Sequence, residues 1–353
     1  MTDSIKPVIE CQNIWKVFGH KANAAMRAVT DKGLSKLEVK EQFDCVVGVS
    51  DANFSVSRGE IFCIMGLSGS GKSTLIRHIN RLIEPTSGRI LINGKDVGSL
   101  NTKELRSLRA STIGMVFQNM ALMPHRTVLD NVAYALEVRG VSRENRYAVA
   151  QKALTEVDLQ GWETKYPDEL SGGMQQRVGL ARAIVADPDI LLMDEPFSAL
   201  DPLIRKQLQD QFMELASKMK KTTLFITHDL DEAIRIGDRI AIMKDGELVQ
   251  IGTPEEIVTQ PVDQYVADFV AGISNLNLVT AARVMQSIND YEAEYGALDH
   301  SQCLTVSHND NLNALIDVSI ETNQPILVEK ANNIVGVVTQ KQLLCGIQGN
   351  WQN

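Results

Sequence analysis

One glycine-rich segment contains residues whose types and spacing suit phosphate recognition. The fixed positions of the pattern G-x-x-x-x-G-K-[ST] are filled by Gly66, Gly71, Lys72 and Ser73, and Gly69 adds another residue without a Cβ atom. Glycines let successive backbone N–H groups turn toward phosphate oxygens, and a helix N-terminus adds its positive dipole end. At these spacings a lysine reaches the β- and γ-phosphates, and a serine hydroxyl coordinates Mg²⁺. The segment is therefore predicted to bind a nucleoside triphosphate.

The residues on either side of this loop favour that interpretation over a chance glycine turn. Residues 61–65 form an apolar run typical of a buried strand. Apolar residues then recur at helical spacing as far as Pro85, and they are Leu75, Ile76, Ile79, Leu82 and Ile83. A strand, a glycine-rich loop and a helix in this order are the context that the pattern requires.

Two carboxylates and a histidine follow two further apolar runs. Residues 190–193 suit a buried parallel strand that delivers Asp194 and Glu195 at its carboxyl end. Since ligands gather at that edge of open α/β sheets, we expect Asp194 to hold Mg²⁺ through water. Glu195 is expected to accept a proton from the attacking water, or to orient that water. His228 ends the run 222–227 and is expected to contact the γ-phosphate.

Ser171, Gly172 and Gly173 form a second candidate anion site. They begin a helical pattern that ends near residues 187–188. Taken alone, these three residues predict only a helix cap, with the Ser171 side chain as the capping group. Their position shortly before the carboxylate-bearing strand favours a contact with phosphate as well.

Residues 8–18 are expected to form an edge strand with aromatic side chains at Trp15 and Phe18. Base stacking needs only a flat apolar face, so either ring could hold an adenine. The spacing favours Phe18, and core packing is the alternative for both rings. Residues 20–47 then interrupt the strand pattern with a mostly polar, weakly helical insertion.

A further strand is expected to end at Gln118, where an apolar loop begins. The apolar residues of this loop are Met120, Leu122, Met123 and Pro124. Such a loop is a candidate docking surface for a partner protein, and ordinary burial is an equally good interpretation.

Composition limits the classes of protein to consider. The chain has 353 residues, enough for one large domain and a smaller one, and its net charge of −9 argues against broad binding to nucleic acid or anionic lipid. Its five cysteines have neither disulfide-framework nor zinc-site spacing. No apolar stretch is long enough to cross a membrane, and residues 1–10 lack a signal-peptide pattern, so a soluble cytoplasmic protein is expected.

Together these motifs resemble the ATP-binding cassette (ABC) ATPases. In chain order they read GLSGSGKST, Gln118, LSGGMQ, ILLMDE, SALD and His228. The resemblance implies an α/β P-loop NTPase fold for residues 1–272, with a RecA-like core, a β-subdomain and an inserted helical subdomain at about 102–186. It also implies ATP and Mg²⁺ as cofactors, and cassettes that pair head to tail. Each ATP would then lie between the loop of one chain and Ser171–Gly173 of the other.

The same resemblance implies a role for each site residue. Catalysis involves Lys72, Gln118, Glu195 and His228, and Mg²⁺ is held by Ser73, Gln118 and Asp194. ATP is bound by Phe18, Gly66, Ser68, Gly69, Ser70, Gly71, Lys72, Ser73, Thr74, Ser171, Gly172, Gly173 and Asp201.

Longer runs resemble the ATPase subunits of quaternary-ammonium importers, which carry glycine betaine, proline betaine or choline. They include FQNMALMPHRTVLDNVAY, DEPFSALDPLIR and HDLDEAIRIGDRIAIM. The resemblance implies a homodimer at the cytoplasmic face of the membrane, docked on permease subunits through residues 119–135 and served indirectly by an external binding protein. No nucleic-acid partner is implied. The alternatives are a choline-specific importer, another importer, or a non-transport cassette protein acting on ribosomes or DNA.

Residues 276–353 change pattern and predict a small α+β module. The module resembles the cystathionine-β-synthase type (CBS-like), with one repeat at about 303–347 in place of the usual tandem pair. Osmotic or ionic-strength sensing by this module is a hypothesis that rests on the resemblance alone.

Overall fold

The computed structural model describes residues 6–198 and 200–349. Residues outside those ranges include the alanine of the predicted SALD turn and the outer ends of both predicted domains. The chain divides into two compact units, Met1–Ile251 and Gly252–Asn353.

The first unit is built on two sheets. Its strands are β1 (Ile9–Phe18), β2 (Val46–Val56), β3 (Ile61–Met65), β4 (Ser87–Ile92), β5 (Lys95–Asp96), β6 (Ile113–Val116), β7 (Ile190–Asp194), β8 (Thr222–Thr227), β9 (Arg239–Lys244) and β10 (Glu247–Gly252). Its helices are α1 (Ala22–Lys32), α2 (Lys36–Phe43), α3 (Lys72–Ile79), α4 (Thr102–Ser111), α5 (Val128–Val138), α6 (Arg143–Glu156), α7 (Gly172–Ile184), α8 (Pro202–Met219) and α9 (Leu230–Ile236).

A six-stranded sheet in the order β10-β9-β3-β8-β7-β6 carries the site. Strands β3, β6, β7, β8 and β9 run parallel to their neighbours among these five. Their carboxyl ends consequently meet at one edge, which is the geometry that the apolar runs predict. The glycine-rich loop follows β3, Glu195 follows β7 and His228 follows β8.

A four-stranded antiparallel sheet in the order β2-β1-β4-β5 forms the second layer. The prediction that residues 8–18 form an edge strand is wrong, because Ile9 pairs with Val56 of β2 and with Ile92 of β4. Polar residues alternate along β1 because one face is solvated, and both of its edges are paired. The rings of Phe54 and Phe62 stack at 5.2 Å between centroids and join the two sheets through one core.

The helical segment is shorter than predicted. Leu105 and Leu108 of α4 pack on the core, and β6 pairs with β7, so residues 102–116 belong to the sheet layer. The helical subdomain proper consists of α5, α6 and α7, which pack against one another. The insertion at 20–47 forms α1 and α2, as its pattern indicates, over a small separate core.

The second unit has its own sheet, in the order β11-β12-β13, and its own apolar core. Its strands are β11 (Thr305–Ser307), β12 (Ile326–Lys330) and β13 (Asn333–Val338). Its helices are α10 (Pro254–Thr259), α11 (Gln264–Val270), α12 (Ala281–Val284), α13 (Ile288–Tyr295), α14 (Leu312–Glu321) and α15 (Gln340–Gln348). The order β11, α14, β12, β13, α15 is the predicted succession of strands and helices.

The division between the units lies before residue 252, and not between 272 and 276 as the sequence suggests. Helices α10 and α11 therefore belong to the second unit. Within this unit, the Glu255 carboxylate of α10 accepts a hydrogen bond from the Thr280 hydroxyl at 3.3 Å. Across the part of the chain that the structure describes, none of the helices combines the length and apolar character needed to cross a bilayer.

Candidate nucleotide-binding site

A cleft of about 600 Å³ opens beside the glycine-rich loop at the carboxyl edge of the six-stranded sheet. The predicted site residues that line it are Phe18, Ser68, Gly69, Gly71, Lys72, Ser73, Thr74, Gln118, Glu195 and His228. Residues from β1, β3, α3, β6, β7 and β8 or the loops after them thus converge on one space. Gly66, Ser70 and Asp194 belong to the same elements, and the side chains of Ser70 and Asp194 are buried.

The loop backbone takes conformations that suit glycine. Gly66 has φ +156° and Gly71 has φ +104°. A Cβ atom at Gly66 would lie 2.1 Å from the Met243 carbonyl oxygen, and one at Gly71 would lie 2.4 Å from the Gly48 oxygen. Both glycines are therefore required by close backbone approach as well as by dihedral angle. The tight loop leads directly into α3, whose free N–H groups face the cleft end of the loop.

Lys72 is almost completely buried at the base of the cleft. Its Nζ donates hydrogen bonds to the carbonyl oxygens of Gly66 at 2.8 Å and Leu67 at 3.1 Å. The same Nζ lies 3.6 Å from Oε1 of Glu195. Burial lowers the pKa of the Lys72 ammonium group, and the carboxylates of Glu195 and Asp194 oppose that shift. A cation is thus held where the loop and β7 meet.

Asp194 is fully buried and paired on both carboxylate oxygens. The Ser73 hydroxyl donates to Oδ1 at 2.7 Å, and Nη2 of Arg77 donates to Oδ2 at 3.0 Å. A serine hydroxyl and a carboxylate are hard oxygen ligands of the kind that Mg²⁺ prefers. The donor set at this end of the cleft therefore fits the predicted Mg²⁺.

Two further predicted catalytic residues, Gln118 and His228, contact the Glu195 carboxylate. Nε2 of Gln118 lies 3.3 Å from Oε2, and Nδ1 of His228 lies 3.1 Å from the same oxygen. Glu195 has φ +47°, a backbone region that costs a non-glycine residue about 1–2 kcal/mol. Its N–H donates to the Ile226 carbonyl at 3.1 Å, which fixes the turn after β7. Strain of this kind at the end of a core strand aims the carboxylate into the cleft.

Of the two aromatic candidates, Phe18 lies at the cleft and Trp15 does not. The Phe18 side chain is 41% exposed and packs closely on Gly48, where a Cβ atom would approach its ring to 2.7 Å. Nζ of Lys16 lies 5.1 Å from the ring centroid. Trp15 instead packs against the small core of the insertion. The geometry supports the preference for Phe18, while adenine stacking itself remains a prediction.

Four predicted ATP-binding residues lie outside this cleft. Ser171 caps α7 by accepting a hydrogen bond from the Met174 N–H at 3.4 Å, and Gly172 is exposed beside it. Gly173 lies in the first turn of the same helix, and Asp201 caps α8 by accepting a hydrogen bond from the Ile204 N–H at 3.1 Å. None of these four lines the space around Lys72 in the described part of the chain.

Other residues at the site were not predicted. Val46, Gly48 and Leu67 line the cleft, and Arg77 neutralises Asp194. Arg77 lies four residues after Ser73 on α3, so helical spacing alone places both on one face and could have indicated it. Gly48 stands inside a strand pattern, which is a signal of close backbone approach. Val46 and Leu67 carry no comparable signal.

A separate groove lies beside the apolar loop that follows Gln118. Its volume is about 1040 Å³, and it is lined by α4, α5, α7, β6 and part of the loop. Arg182 of α7 holds the loop by donating to the carbonyl oxygens of Met120 at 2.5 Å and Ala121 at 2.6 Å. Met120, Leu122 and Met123 are half-buried and Pro124 is exposed, so the rest of the chain covers this apolar loop only in part.

Comparison with protein-family models identifies one match, described as ABC transporter, over residues 49–198. The chain is 54% identical to the glycine betaine/carnitine transport ATP-binding protein GbuA of Listeria monocytogenes, over 78% of this chain and 70% of that protein. It is 43% identical to the glycine betaine transport ATP-binding protein OpuAA of Bacillus subtilis, over 98% of this chain and 94% of that protein.

Among solved structures, the chain is similar to the dimeric post-hydrolysis state of the ATP-binding cassette MJ0796 bound to ADP and Pi. The TM-score is 0.59 at 31% identity, over 70% of this chain and 98% of that one. The fold of the cleft-bearing unit is therefore that of a P-loop cassette.

Proposed function

The chain belongs to the ATP-binding subunits of ABC transporters of the glycine betaine type, and we propose that it hydrolyses ATP to power import of glycine betaine or a related quaternary ammonium compound through a membrane permease. Membership of this family shows that the chain is an ATP-hydrolysing subunit of a transporter. The observation that carries the proposal for its active site is the convergence of Lys72, Gln118 and His228 on the Glu195 carboxylate.

Each of these residues has a role that follows from its position. The loop N–H groups and Lys72 bind the triphosphate, which places the γ-phosphate at the Glu195 end of the cleft. Glu195 orients a water molecule and accepts its proton as the water oxygen bonds to the γ-phosphorus and the bond to ADP breaks. His228 and Gln118 contact the Glu195 carboxylate and position it against the γ-phosphate. Ser73, Asp194 and Gln118 would hold Mg²⁺, which would neutralise charge on the phosphates.

The residues outside the cleft indicate a second chain. Ser171, Gly172 and Gly173 form a helix N-terminus that suits an anion, yet Lys72 of the same chain lies in a different cleft. Two chains paired head to tail would bring each exposed N-terminus to the ATP of the other chain, with Asp201 beside it. ATP then holds the dimer together, and hydrolysis releases it.

The groove beside residues 119–135 is the proposed permease site. Its lining combines apolar side chains with part of the loop that follows Gln118. A permease segment bound there would be linked to the Glu195 carboxylate through that loop, because Gln118 contacts this carboxylate. The chain would work at the cytoplasmic face of the membrane, with an external binding protein delivering substrate. We propose a regulatory role for the CBS-like second unit, tested by the salt dependence of uptake after deletion of residues 276–353; unchanged dependence would end that hypothesis.

Uptake by whole cells tests the transport function. Cells carrying the native chain or Glu195→Gln are given labelled glycine betaine and, separately, labelled choline. Glycine betaine uptake is expected to fall by at least about tenfold in the variant, because turnover at the cassette limits transport. The matched control is Glu214→Gln, an exposed carboxylate on α8, which is expected to leave uptake unchanged. Loss of choline uptake alone would favour the choline-specific alternative, and no change with either compound would reject the quaternary-ammonium proposal.

A further inference from the structure

The first turn of α8 contacts three segments: the loop after β7, the loop after β8 and the N-terminus of α7. Nη2 of Arg205 donates to the Leu200 carbonyl oxygen at 3.1 Å, and Nη1 donates to Oδ2 of Asp229 at 3.4 Å. The preceding residue, Ile204, packs against Gly173 of α7: a Cβ atom added at Gly173 would lie 2.8 Å from Cγ2 of Ile204. This turn therefore lies between the loop after β7, the loop after β8 and the N-terminus of α7.

Asp229 connects that turn to the catalytic carboxylate. It follows His228 directly and caps α9 by accepting a hydrogen bond from the Glu232 N–H at 3.2 Å. His228 in turn contacts Oε2 of Glu195 at 3.1 Å. On the other side, the Ser198 hydroxyl donates to the Glu195 carbonyl at 3.1 Å. Arg205 thus connects Leu200, in the loop after β7, to Asp229, the residue that follows His228.

We propose that Arg205 is a positioning residue for hydrolysis: its guanidinium fixes the loop after β7 relative to the loop after β8, and thereby sets His228 against Glu195. The inference rests on the roles proposed above for those two residues. Arg205 itself reaches neither the nucleotide cleft nor the reacting atoms, since it is absent from the lining of that cleft in the described chain.

The chemistry of the side chain supports a bridging role over simple charge pairing. A guanidinium presents its donors as a planar fork and contacts two acceptors in fixed directions, whereas an ammonium group is a single point charge. The Arg205 and Asp229 side chains are 27% and 33% exposed, and ion pairs of such exposure contribute little to stability. A large effect of this residue on turnover would therefore not be a by-product of lost folding energy.

A neighbouring arginine offers a matched control. Arg235 on α9 also bridges α8 and α9, because its Nη1 donates to Oε1 of Gln209 at 3.3 Å and its Nη2 pairs with Asp210. This bridge lies about one turn further along α8 than Arg205. It contacts neither of the two loops. Substituting Arg235 removes a cation and a bridge between two helices, and it leaves the contacts of Arg205 with Leu200 and Asp229 in place.

The test is steady-state ATP hydrolysis by the purified full-length chain. Arg205→Gln is expected to lower kcat about tenfold with KM for ATP within about twofold, because a misplaced catalytic pair slows chemistry more than binding. Arg205→Lys is expected to recover little, since it cannot bridge both acceptors. Asp229→Asn keeps the helix cap and should lower kcat similarly, and the double variant should be no slower than either single variant.

Three results would overturn the proposal. They are a kcat for Arg205→Gln within about twofold of native, an equal loss in Arg235→Gln, and multiplicative losses in the double variant. The proposed site is judged separately with Glu195→Gln: native-like turnover there would reject the role of Glu195 whatever Arg205 does. Melting temperatures of all variants identify any loss that is due to misfolding.

Discussion

Two helix N-termini in this chain have the same anion-binding chemistry and very different surroundings. Helix α3 begins at Lys72 inside a cleft whose other walls carry Gln118, Glu195 and His228. Helix α7 begins beside Ser171 on an exposed surface, where a Cβ atom at Gly172 would meet nothing within 4 Å. The first N-terminus is enclosed by its own chain, and the second is open.

This difference supports the proposal that one nucleotide site is divided between two chains. A helix N-terminus attracts phosphate wherever it lies, but hydrolysis needs a carboxylate and a positioned water as well. Among the described residues, the α3 site has a carboxylate, that of Glu195, in the lining of its cleft. Under that proposal, the α7 N-terminus acquires a function when another chain supplies the nucleotide. Substitutions on either side should consequently separate ATP binding from ATP hydrolysis.

The largest expected effect is at the hydrolytic end of the α3 site. Glu195→Gln should lower the hydrolysis rate by about 10²–10⁴-fold, since an amide cannot accept the proton of water. ATP affinity should stay near native, because Lys72 and the loop remain. Steady-state hydrolysis and equilibrium ATP binding measure the two quantities, and a turnover close to native would show that another group is the base.

Gly172→Asp should separate the two functions from the α7 side. The new side chain fits without steric conflict, and its negative charge opposes a phosphate at that N-terminus. Hydrolysis should fall about 10²-fold while ATP binding by a single chain stays unchanged. Gly172→Asn is the isosteric uncharged control and should lose much less. Equal ATP affinity loss in both variants would contradict the comparison.

Phe18→Ala should have an intermediate effect, confined to binding. Loss of one base–aromatic stack costs about 1–3 kcal/mol, so the ATP affinity should fall about tenfold or more. Trp15→Phe, which changes an aromatic ring outside the cleft, should leave the affinity within about twofold. If the Trp15 variant weakens binding and the Phe18 variant does not, the stacking residue has been misassigned.

The smallest expected effect lies away from both sites, at Glu232. Burial raises the pKa of its carboxyl above the ordinary value of 4.5, so the folded chain binds that proton more tightly than the unfolded chain does. Stability is then lost as pH rises from about 4.5 through the raised pKa. Glu232→Gln should melt on the order of 2 °C above native near pH 8, with a smaller margin near pH 5. Exposed Glu214→Gln should show no such trend.

The sequence predicts which residues meet in the cleft at α3 because those residues follow core strands. Gln118, Glu195 and His228 come directly or shortly after β6, β7 and β8, and parallel strands bring their carboxyl ends to one edge. The preference for Phe18 over Trp15 also agrees with the geometry. Strand alternation and apolar runs are local signals, and they suffice where position along a strand determines position in space.

What the sequence misses depends on pairing between distant segments. Alternation along β1 does not reveal that Ile9 pairs on both sides, and nothing local to Val46 places it at the cleft. The boundary before residue 252 reflects contacts between segments distant in sequence, and the hydrogen bond between Glu255 and Thr280 is one contact of that kind within the second unit. The Arg205 bridge likewise joins segments that neither periodicity nor motif connects.

The divided site can be tested most directly by mixing two inactive chains. Lys72→Ala destroys the α3 site of one chain, and Gly172→Asp destroys the α7 contact of the other. In a head-to-tail heterodimer one nucleotide site combines an intact Lys72 with an intact Gly172, so mixing should restore hydrolysis to about a quarter of the native rate by random pairing. If the mixture stays as inactive as its components while heterodimers form, each chain does not complete the site of the other, and the central claim fails.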